Sequence, residues 1–240
     1  LGFTVVLDLY HHRKKFRFSL HTKLMIWGTL IVNGVATIII FLMEKSNMAT
    51  LGGLSIFDQW MASYFHAIVS RTAGFNTVPI EQMNASTLMV IMVLMFIGAG
   101  SGSVGGGIKL TTAIVILAAV IAYLRGKDKV VLFRRTISNR NILKALATTT
   151  LSGVSIVLMI IILSLTESGV RLMAIVFDSV AIFTTAGFSI GMIMNLSLMG
   201  KLLVCFLMFF GKIGPLTFVF MFSKKSDAKI RYPEEDILIS

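Results

Sequence analysis

Apolar runs of two different lengths alternate along the chain. Leu24–Met43 is an uncharged run of twenty residues, about the length that a helix needs to cross roughly 30 Å of hydrocarbon. Ile56–Val69 is apolar on balance but too short to cross, and it leads into a polar segment, 70–76, that is followed by Pro79. Non-helical backbone at membrane depth is tolerated only inside protein or beside a water-filled cavity. The pattern therefore predicts a membrane span followed by a short re-entrant helix and a turn.

The next apolar run, Ser86–Leu124, is interrupted by glycine. Six glycines fall within ten positions, and each weakens a helix by about 1 kcal/mol relative to alanine. We expect the helix to break there, which leaves two apolar halves at 86–97 and 108–124 around an intramembrane loop. The six glycines are Gly98, Gly100, Gly102, Gly105, Gly106 and Gly107.

The same order of elements then returns. Ile142–Thr166 is predicted as a second span, and Leu172–Phe183 as a second short helix. Thr184–Ser189 forms the second turn, and Leu202–Phe222 is the returning span, which Gly214-Pro215 is expected to kink. One structural unit is therefore used twice.

A sequence repeat links the two units. Thr-Ala-Gly-Phe occurs at 72–75 and again at 185–188, 113 positions later, and 94–98 aligns with 207–211 at the same offset. A single tetrapeptide can be an ordinary turn, whereas two copies with matching flanks favour a role in lining a site. Glycine lets successive carbonyls point one way without a side-chain clash, and such carbonyls replace an ion's hydration shell in a filter. The residues expected to line a cation pathway are therefore Gly74 and Gly187.

Composition agrees with a lipid environment. The 240 residues are 56% hydrophobic, with a mean hydropathy of +0.88 and a formal charge of +11. Nucleic acid is not predicted as a partner, because the basic residues lie between the apolar runs instead of along one face. The single cysteine, Cys205, excludes a disulfide within the chain and a cysteine metal cluster. The chain opens with Leu1 and no cleavable leader pattern, so we read it as part of a longer protein.

The basic residues predict which segments face the cytoplasm. We divide the chain into a cytoplasmic segment 1–23, a repeat 24–124, a basic linker 125–141, a second repeat 142–222 and a cytoplasmic tail 223–240. Five acids fall on the opposite side or near the re-entrant segments, where they would attract cations. They are Glu44, Asp58, Glu81, Glu167 and Asp178.

Three cations fall at membrane depth, where a charge costs about 2.5–3.5 kcal/mol. They are Arg71, Lys109 and Lys212. For Arg71 and Lys109 we expect pairing with backbone carbonyls or an acidic neighbour. Asn33, in the first span, is expected to hydrogen-bond between helices.

Four segments carry a recognisable combination of residues. They are Ser-Arg-Thr-Ala-Gly-Phe-Asn at 70–76, Gly-Ser-Val-Gly-Gly-Gly-Ile-Lys at 102–109, Thr-Thr-Ala-Gly-Phe-Ser at 184–189 and Gly-Lys-Ile-Gly-Pro-Leu-Thr at 211–217. Together they resemble the Trk/Ktr/HKT superfamily of potassium transporters, most of all the membrane subunit of bacterial Ktr systems. The resemblance implies an all-α membrane protein of tandem helix–re-entrant pore loop–helix repeats, as in potassium channels. This chain would hold the third and fourth of four repeats.

The resemblance also implies which residues bind the ion. Half of a potassium filter would come from Thr72, Ala73, Gly74, Phe75, Asn76, Thr185, Ala186, Gly187, Phe188 and Ser189. The backbone carbonyls of four of these would bind K⁺ directly, namely those of Thr72, Gly74, Thr185 and Gly187. In the family, a filter glycine favours potassium over sodium, and both copies keep it.

The glycine-rich break would lie below the filter, obstruct the pore and move during gating. The gate residues implied are Gly98, Gly100, Gly102, Gly105, Gly106, Gly107, Lys109 and Lys212. Lys212 stands where the family usually has arginine; it keeps the charge but lacks the planar fork of donors. A packing break between helices is the plainer alternative. A dinucleotide site is not predicted from the glycine spacing, because no strand precedes it.

The function implied is potassium uptake driven by the cation gradient, without enzymatic chemistry or an organic cofactor, and dependent on Na⁺ by analogy. The expected setting is the cell membrane, crossed several times, with both terminal segments cytoplasmic. The implied partners are a second copy of the membrane subunit, a cytoplasmic nucleotide-binding ring of the KtrA type and the lipid bilayer. Two alternatives are a permease energised by an ATP-hydrolysing partner and an intramembrane hydrolase using Ser101 or Ser103 with His66. No Gly-x-Ser-Gly element supports the hydrolase.

Overall fold

The computed structural model describes residues 2–12, 18–103, 105–167 and 169–222. The tail predicted at 223–240 and part of the basic N-terminal segment lie outside these ranges, so their cytoplasmic placement stays a prediction. The described chain is almost entirely helical. Its helices are α1 (Phe3–His12), α2 (Leu20–Glu44), α3 (Ile56–Val69), α4 (Ala85–Phe96), α5 (Leu110–Leu124), α6 (Asn139–Thr166), α7 (Leu172–Thr184), α8 (Leu198–Ile213) and α9 (Pro215–Phe222).

Short elements complete the described chain. Single 3₁₀ turns lie at Ile80–Gln82 and Ile193–Asn195, ahead of α4 and α8. A two-stranded antiparallel hairpin, β1 (Val131–Leu132) and β2 (Arg135–Thr136), lies in the basic linker. Val131 pairs with Thr136, and Leu132 pairs with Arg135.

The first unit follows the predicted order of helices. α2 contains the predicted first span and begins after Ser19, whose side chain accepts a hydrogen bond from the Thr22 N–H. α3 has the predicted bounds and begins after Ser55, which caps it in the same way. α4 and α5 match the two predicted apolar halves, and no helix is assigned to the described residues between them.

The second unit repeats this order with one difference. α6 and α7 correspond to the predicted span and short helix, and α8 continues without interruption to Ile213. Gly214 then adopts a φ of +90°, and Pro215 begins α9. The predicted kink is therefore a complete break between two helices, with proline at a first helical position where its missing N–H costs nothing.

The core is centred on α7. Phe177 and Phe183 are fully buried, as are most residues of this helix, which contacts α4 of the first unit as well as α6 and α8. Among the described helices, two are long and apolar enough to cross a membrane by length and composition, namely α2 and α6. The shorter apolar helices α4, α5 and α7 lie between or beside them.

Candidate functional site

The two Thr-Ala-Gly-Phe segments lie against each other. We call them the filter turns (72–75 and 185–188) after the role that the sequence predicts for them. Each follows the C-terminal end of a short helix, α3 or α7. A Cβ atom added to Gly74 would lie 3.2 Å from the Cα of Gly187, and one added to Gly187 would lie 3.0 Å from the Cα of Gly74. These separations are shorter than ordinary van der Waals contact. A side chain at either position would therefore require the opposite turn to shift by a few tenths of an ångström.

The two filter turns also share one backbone conformation. The φ angle is positive at the first and third residue of each turn, at Thr72 (77°), Gly74 (72°), Thr185 (52°) and Gly187 (86°). Left-handed backbone costs an L-residue roughly 1–2 kcal/mol and is nearly free for glycine. The two threonines are therefore held in place by their surroundings. Sequence reasoning predicted the glycines but had no signal for left-handed threonine.

The remaining filter-turn residues differ in exposure between the copies. Phe75 is 68% exposed, whereas Phe188 is 2% exposed. Ala73 and Asn76 are exposed, and Ala186 is buried. The described chain therefore covers Ala186 and Phe188 of the second turn, whereas Ala73 and Phe75 of the first turn are exposed.

The glycine-rich loop (98–107) packs on the threonines that begin both filter turns. A Cβ added to Gly105 would lie 2.7 Å from the Thr72 Oγ1, and one added to Gly106 would lie 3.0 Å from the Thr185 Oγ1. The Gly106 N–H donates a hydrogen bond of 3.2 Å to the same Thr185 hydroxyl. Three segments that are far apart in sequence therefore meet at one point, and glycine is required there for the close approach.

The two ends of the loop are joined to each other. Ile97 and Ile108 form a parallel bridge, and the Ile108 N–H donates to the Phe96 carbonyl at 3.1 Å. A Cβ added to Gly98 would lie 2.2 Å from the carbonyl oxygen of Gly106. The loop is therefore closed at its base by backbone contacts.

Of the other predicted gate glycines, Gly100 and Gly102 contact α2 and α1 instead of the filter turns. A Cβ added to Gly100 would lie 2.2 Å from the end of the Met25 side chain on α2. The Gly102 carbonyl accepts a hydrogen bond of 3.2 Å from the Phe3 N–H at the start of α1. Gly107, with a φ of +73°, packs on the Phe96 carbonyl at the base of the loop. The loop therefore contacts the filter turns on one side and α1 and α2 on the other.

Two of the cations expected at membrane depth pair with loop carbonyls, as predicted. The Arg71 Nε and Nη2 donate to the Gly98 carbonyl at 3.3 and 3.1 Å, and its Nη1 donates to the Asn33 Oδ1 at 3.1 Å. This contact also confirms that Asn33 hydrogen-bonds between elements. The Lys109 ammonium donates to the Gly105 carbonyl.

Lys212 lies in the last turn of α8, just before the break at Gly214. It is exposed and close enough to Lys109 for the two charges to repel. Among the described residues the recorded ion pair is His12 with Asp8, so neither lysine has a carboxylate partner there.

The expectation that the outer acids attract cations is wrong for three of them, because they are buried and satisfied by donors. Glu44 is 0% exposed and accepts from the Thr50 and Thr87 hydroxyls, both at 2.6 Å, and from the Asn84 N–H at 2.8 Å. A buried carboxylate is stable only when its oxygens accept hydrogen bonds or pair with a cation. Asp58 and Glu81, by contrast, are exposed.

Glu167 is the corresponding buried glutamate of the second unit. It accepts from the N–H and the hydroxyl of Ser197, and these bonds lower the pKa of the Glu167 carboxyl below its ordinary value. Asn84 and Ser197 are the residues before α4 and α8, and they are 113 positions apart. A glutamate after each first span therefore caps the start of each return helix.

Asp178 lies on the predicted second short helix, but its role differs from the expected attraction of cations. Its carboxylate, on the buried helix α7, accepts from the Ser189 hydroxyl at 2.7 Å and from the N–H groups of Ile190 and Met192 at 2.8 and 3.0 Å. It therefore holds the segment that follows the second filter turn. This role could have been suspected from the sequence, because Asp178 is the one ionisable residue of α7.

The first unit holds the corresponding segment with a histidine. The His66 Nε2 lies 3.1 Å from the Thr77 Oγ1, just beyond the first filter turn. His66 is 1% exposed, and its Nδ1 has no hydrogen-bond partner within the described ranges. His66 is therefore a packed, hydrogen-bonded histidine.

These features are those of a helical membrane transport protein built from repeated units around paired glycine turns. The chain belongs to the TrkH cation transport protein family, whose profile matches residues 7–232. It is 48% identical over 237 residues to the Ktr system potassium uptake protein B of Bacillus subtilis, covering 99% of this chain and 53% of that protein. It is 39% identical to the protein of the same name from Vibrio alginolyticus, covering 99% of this chain and 52% of that protein.

Two further similarities extend this picture. The chain is 32% identical to the potassium/sodium uptake protein NtpJ of Enterococcus hirae, covering 100% of this chain and 54% of that protein. The crystal structure of the potassium transporter TrkH from Vibrio parahaemolyticus matches with a TM-score of 0.76 at 16% identity, over 93% of this chain and 49% of that one. That match shows a common fold. The chain spans about half the length of these relatives.

Proposed function

We propose that this chain is the C-terminal half of the ion-translocating subunit of a potassium uptake system. The observation that carries the proposal is the meeting of the two filter turns, in which Gly74 and Gly187 approach each other with the same left-handed backbone. Alternation of positive and negative φ along each turn allows successive carbonyls to share one side of the chain. Carbonyls arranged in this way can replace the hydration shell of K⁺.

The filter in this proposal consists of residues 72–76 and 185–189, with the carbonyls of Thr72, Gly74, Thr185 and Gly187 as direct ligands. The short helices α3 and α7 lead into the two turns as re-entrant pore helices, and α2 with α4–α5 and α6 with α8–α9 form the flanking spans. Relatives about twice as long as this chain, one of them named for potassium uptake at 48% identity, support two further repeats that complete the ring.

The glycine-rich loop is the gate in this proposal. Its contacts with Thr72 and Thr185 place it at the start of both filter turns, where an ion leaving the filter would have to pass. Lys109 and Lys212 add positive charge beside it, which opposes the passage of a cation while the loop is in place.

The wider setting also follows from the relatives. Potassium uptake dependent on Na⁺ is supported by the relative named for both ions. Two relatives are named as proteins of a Ktr system, which supports partnership with other components of such a system. In this proposal the partners are a second copy of the subunit and a cytoplasmic nucleotide-binding ring. The N-terminal and basic segments face the cytoplasm in this arrangement, since they carry the Lys and Arg excess.

The test replaces Gly74 or Gly187 with serine in the full-length subunit, produced in a host that lacks its own potassium uptake. Serine clashes with the opposite turn and disfavours the left-handed backbone, so we expect the preference for K⁺ over Na⁺ to fall by about tenfold or more. The measurement is inhibition of Rb⁺ uptake by each ion. Gly53→Ser is the matched control, because Gly53 has no atom near a potential side chain. Unchanged affinity and ion preference in both filter variants would refute the filter assignment.

A further inference from the structure

Arg71 joins three parts of the molecule. It immediately precedes the first filter turn, its Nε and Nη2 bind the carbonyl of Gly98 at 3.3 and 3.1 Å, and its Nη1 binds Asn33 on α2 at 3.1 Å. The guanidinium presents these donors in a rigid planar fork, and hydrogen bonds from a charged donor are stronger than neutral ones. Arg71 therefore fixes the first residue of the glycine-rich loop relative to both α2 and the filter turn.

The second unit lacks every part of this arrangement. At the offset of 113, the residue equivalent to Arg71 is Thr184, whose hydroxyl donates to the Val180 carbonyl of its own helix. The residue equivalent to Gly98 is Gly211, which lies inside the uninterrupted helix α8. A Cβ there would lie 1.9 Å from the Phe183 carbonyl, so α8 packs directly against the end of α7 at that point.

The partner on α2 is also specific to the first unit. Asn33 lies eleven residues before Glu44, the glutamate that caps α4, and the residue eleven before Glu167 is Ile156, which is 6% exposed. Both filter turns share one conformation, yet only the first is preceded by an arginine. The arginine therefore accompanies the loop and is not required by the turn itself.

Displacing the loop would change the surroundings of a half-buried charge. Gly98 supplies the acceptor for two of the three described hydrogen bonds of the guanidinium, and no carboxylate of the described residues pairs with it. A buried charge that loses its acceptors is destabilised. The arrangement in which the Gly98 carbonyl binds Arg71 is therefore favoured over one in which the loop is displaced.

We propose that Arg71 is a positioning residue of the gate, which holds Gly98 and thereby favours the arrangement in which the loop lies under the filter turns. This rests on the proposed function of the loop as a gate. Arg71 acts through the loop and does not contact the ion. Its loss is expected to release the loop while leaving ion preference intact.

The test measures the accessibility of the loop together with uptake. Ser101 lines a cavity of about 740 Å³ beside the loop, so Ser101→Cys in a Cys205→Ala background of the full-length subunit introduces a thiol at a reachable position. Any cysteine in the remaining half of the subunit is also replaced by alanine, and the rate of reaction of the introduced thiol with a charged methanethiosulfonate is measured in inside-out membrane vesicles. Uptake of K⁺ and the K⁺/Na⁺ preference are measured on the same variants.

Arg71→Lys keeps the charge but loses the fork, so we expect thiol modification to become about tenfold faster and maximal uptake to rise, with unchanged ion preference. Asn33→Leu, which leaves the Gly98 bonds in place, should act in the same direction but less. Thr37→Val is the control, since the Thr37 hydroxyl donates only to a carbonyl of its own helix, and should change nothing.

An unchanged modification rate in Arg71→Lys, or a fall in K⁺/Na⁺ preference that accompanies the faster uptake, would overturn the proposal. If Arg71→Lys does not accumulate in the membrane, Asn33→Leu decides, and an unchanged rate there also overturns it. Failure of the proposed gate would give a different result. Deletion within the loop would leave uptake unchanged, while the rate of thiol modification would still increase in Arg71→Lys.

Discussion

Asp178 is a fully buried carboxylate and the one ionisable residue of α7, and its oxygens accept from Ser189, Ile190 and Met192. A buried carboxylate that accepts several hydrogen bonds is a rigid attachment point, because the loss of any donor leaves part of the buried charge unsatisfied. The segment it holds begins at the last residue of the proposed filter. Its influence should therefore appear in ion preference.

Asp178→Asn is expected to lower the preference for K⁺ over Na⁺ by about tenfold, because the amide offers one oxygen where the carboxylate offers two and leaves a backbone N–H without its acceptor. The measurement is inhibition of Rb⁺ uptake by K⁺ and by Na⁺, with the amount of subunit in the membrane determined in parallel. Asp58→Asn is the control, since Asp58 is exposed and bonds Ser55 at the start of α3. A lower maximal rate with unchanged ion preference would show that Asp178 supports the fold alone.

Single residues were predictable where a repeated pattern marked them. Gly74 and Gly187 stand out because they recur at a fixed offset, and the pairing of Arg71 with a carbonyl follows from the cost of a charge in the membrane. The role of Glu44 could not be predicted. Its partner Asn84 is 40 positions away, and only the folded chain brings the two together.

Helices were predictable from the length of the apolar runs and from glycine and proline. The bounds of α3 match the prediction, and the break between α4 and α5 falls at the glycines. The helix α1 was not predicted, because its charged and polar residues obscure the pattern of its buried face in the sequence. Val5 is 0% exposed and packs with Met25 and Leu110, a set of contacts made across the chain.

The glycine-rich loop gives a prediction about flux. Deletion of residues 100–103 removes the contacts with α1 and α2 but keeps Gly105 and Gly106. We expect these two glycines, without that attachment, to leave the filter turns more readily. Uptake by the full-length subunit should rise at least several-fold, since a mostly closed equilibrium would shift towards the open state. The measurement is the initial rate of Rb⁺ uptake per subunit in the membrane.

The ratio of K⁺ to Na⁺ inhibition serves as the internal control for that deletion. The filter turns are not altered, so the ratio should stay close to that of the intact subunit. Unchanged uptake in the presence of normal amounts of subunit would instead identify the loop as a packing element between helices.

At the level of the whole chain, the two units are interlocked at the filter turns and along α7. The second short helix packs against α4 of the first unit, and the loop of the first unit donates a hydrogen bond to the second filter turn. The two units therefore meet at one place in the fold. The chain spans about half of its relatives, and in the proposed filter the two turns would supply half of a ring of carbonyls.

The central claim is that Gly74 and Gly187 belong to one ion site, and a double-mutant cycle tests it most directly. The K⁺/Na⁺ preference of Rb⁺ uptake is measured for the intact subunit, Gly74→Ser, Gly187→Ser and the double variant. Residues of one site are coupled, so we predict that the double variant loses clearly less preference than the sum of the two single losses. Losses that add within about 0.3–0.5 kcal/mol, as independent sites do, would contradict the account.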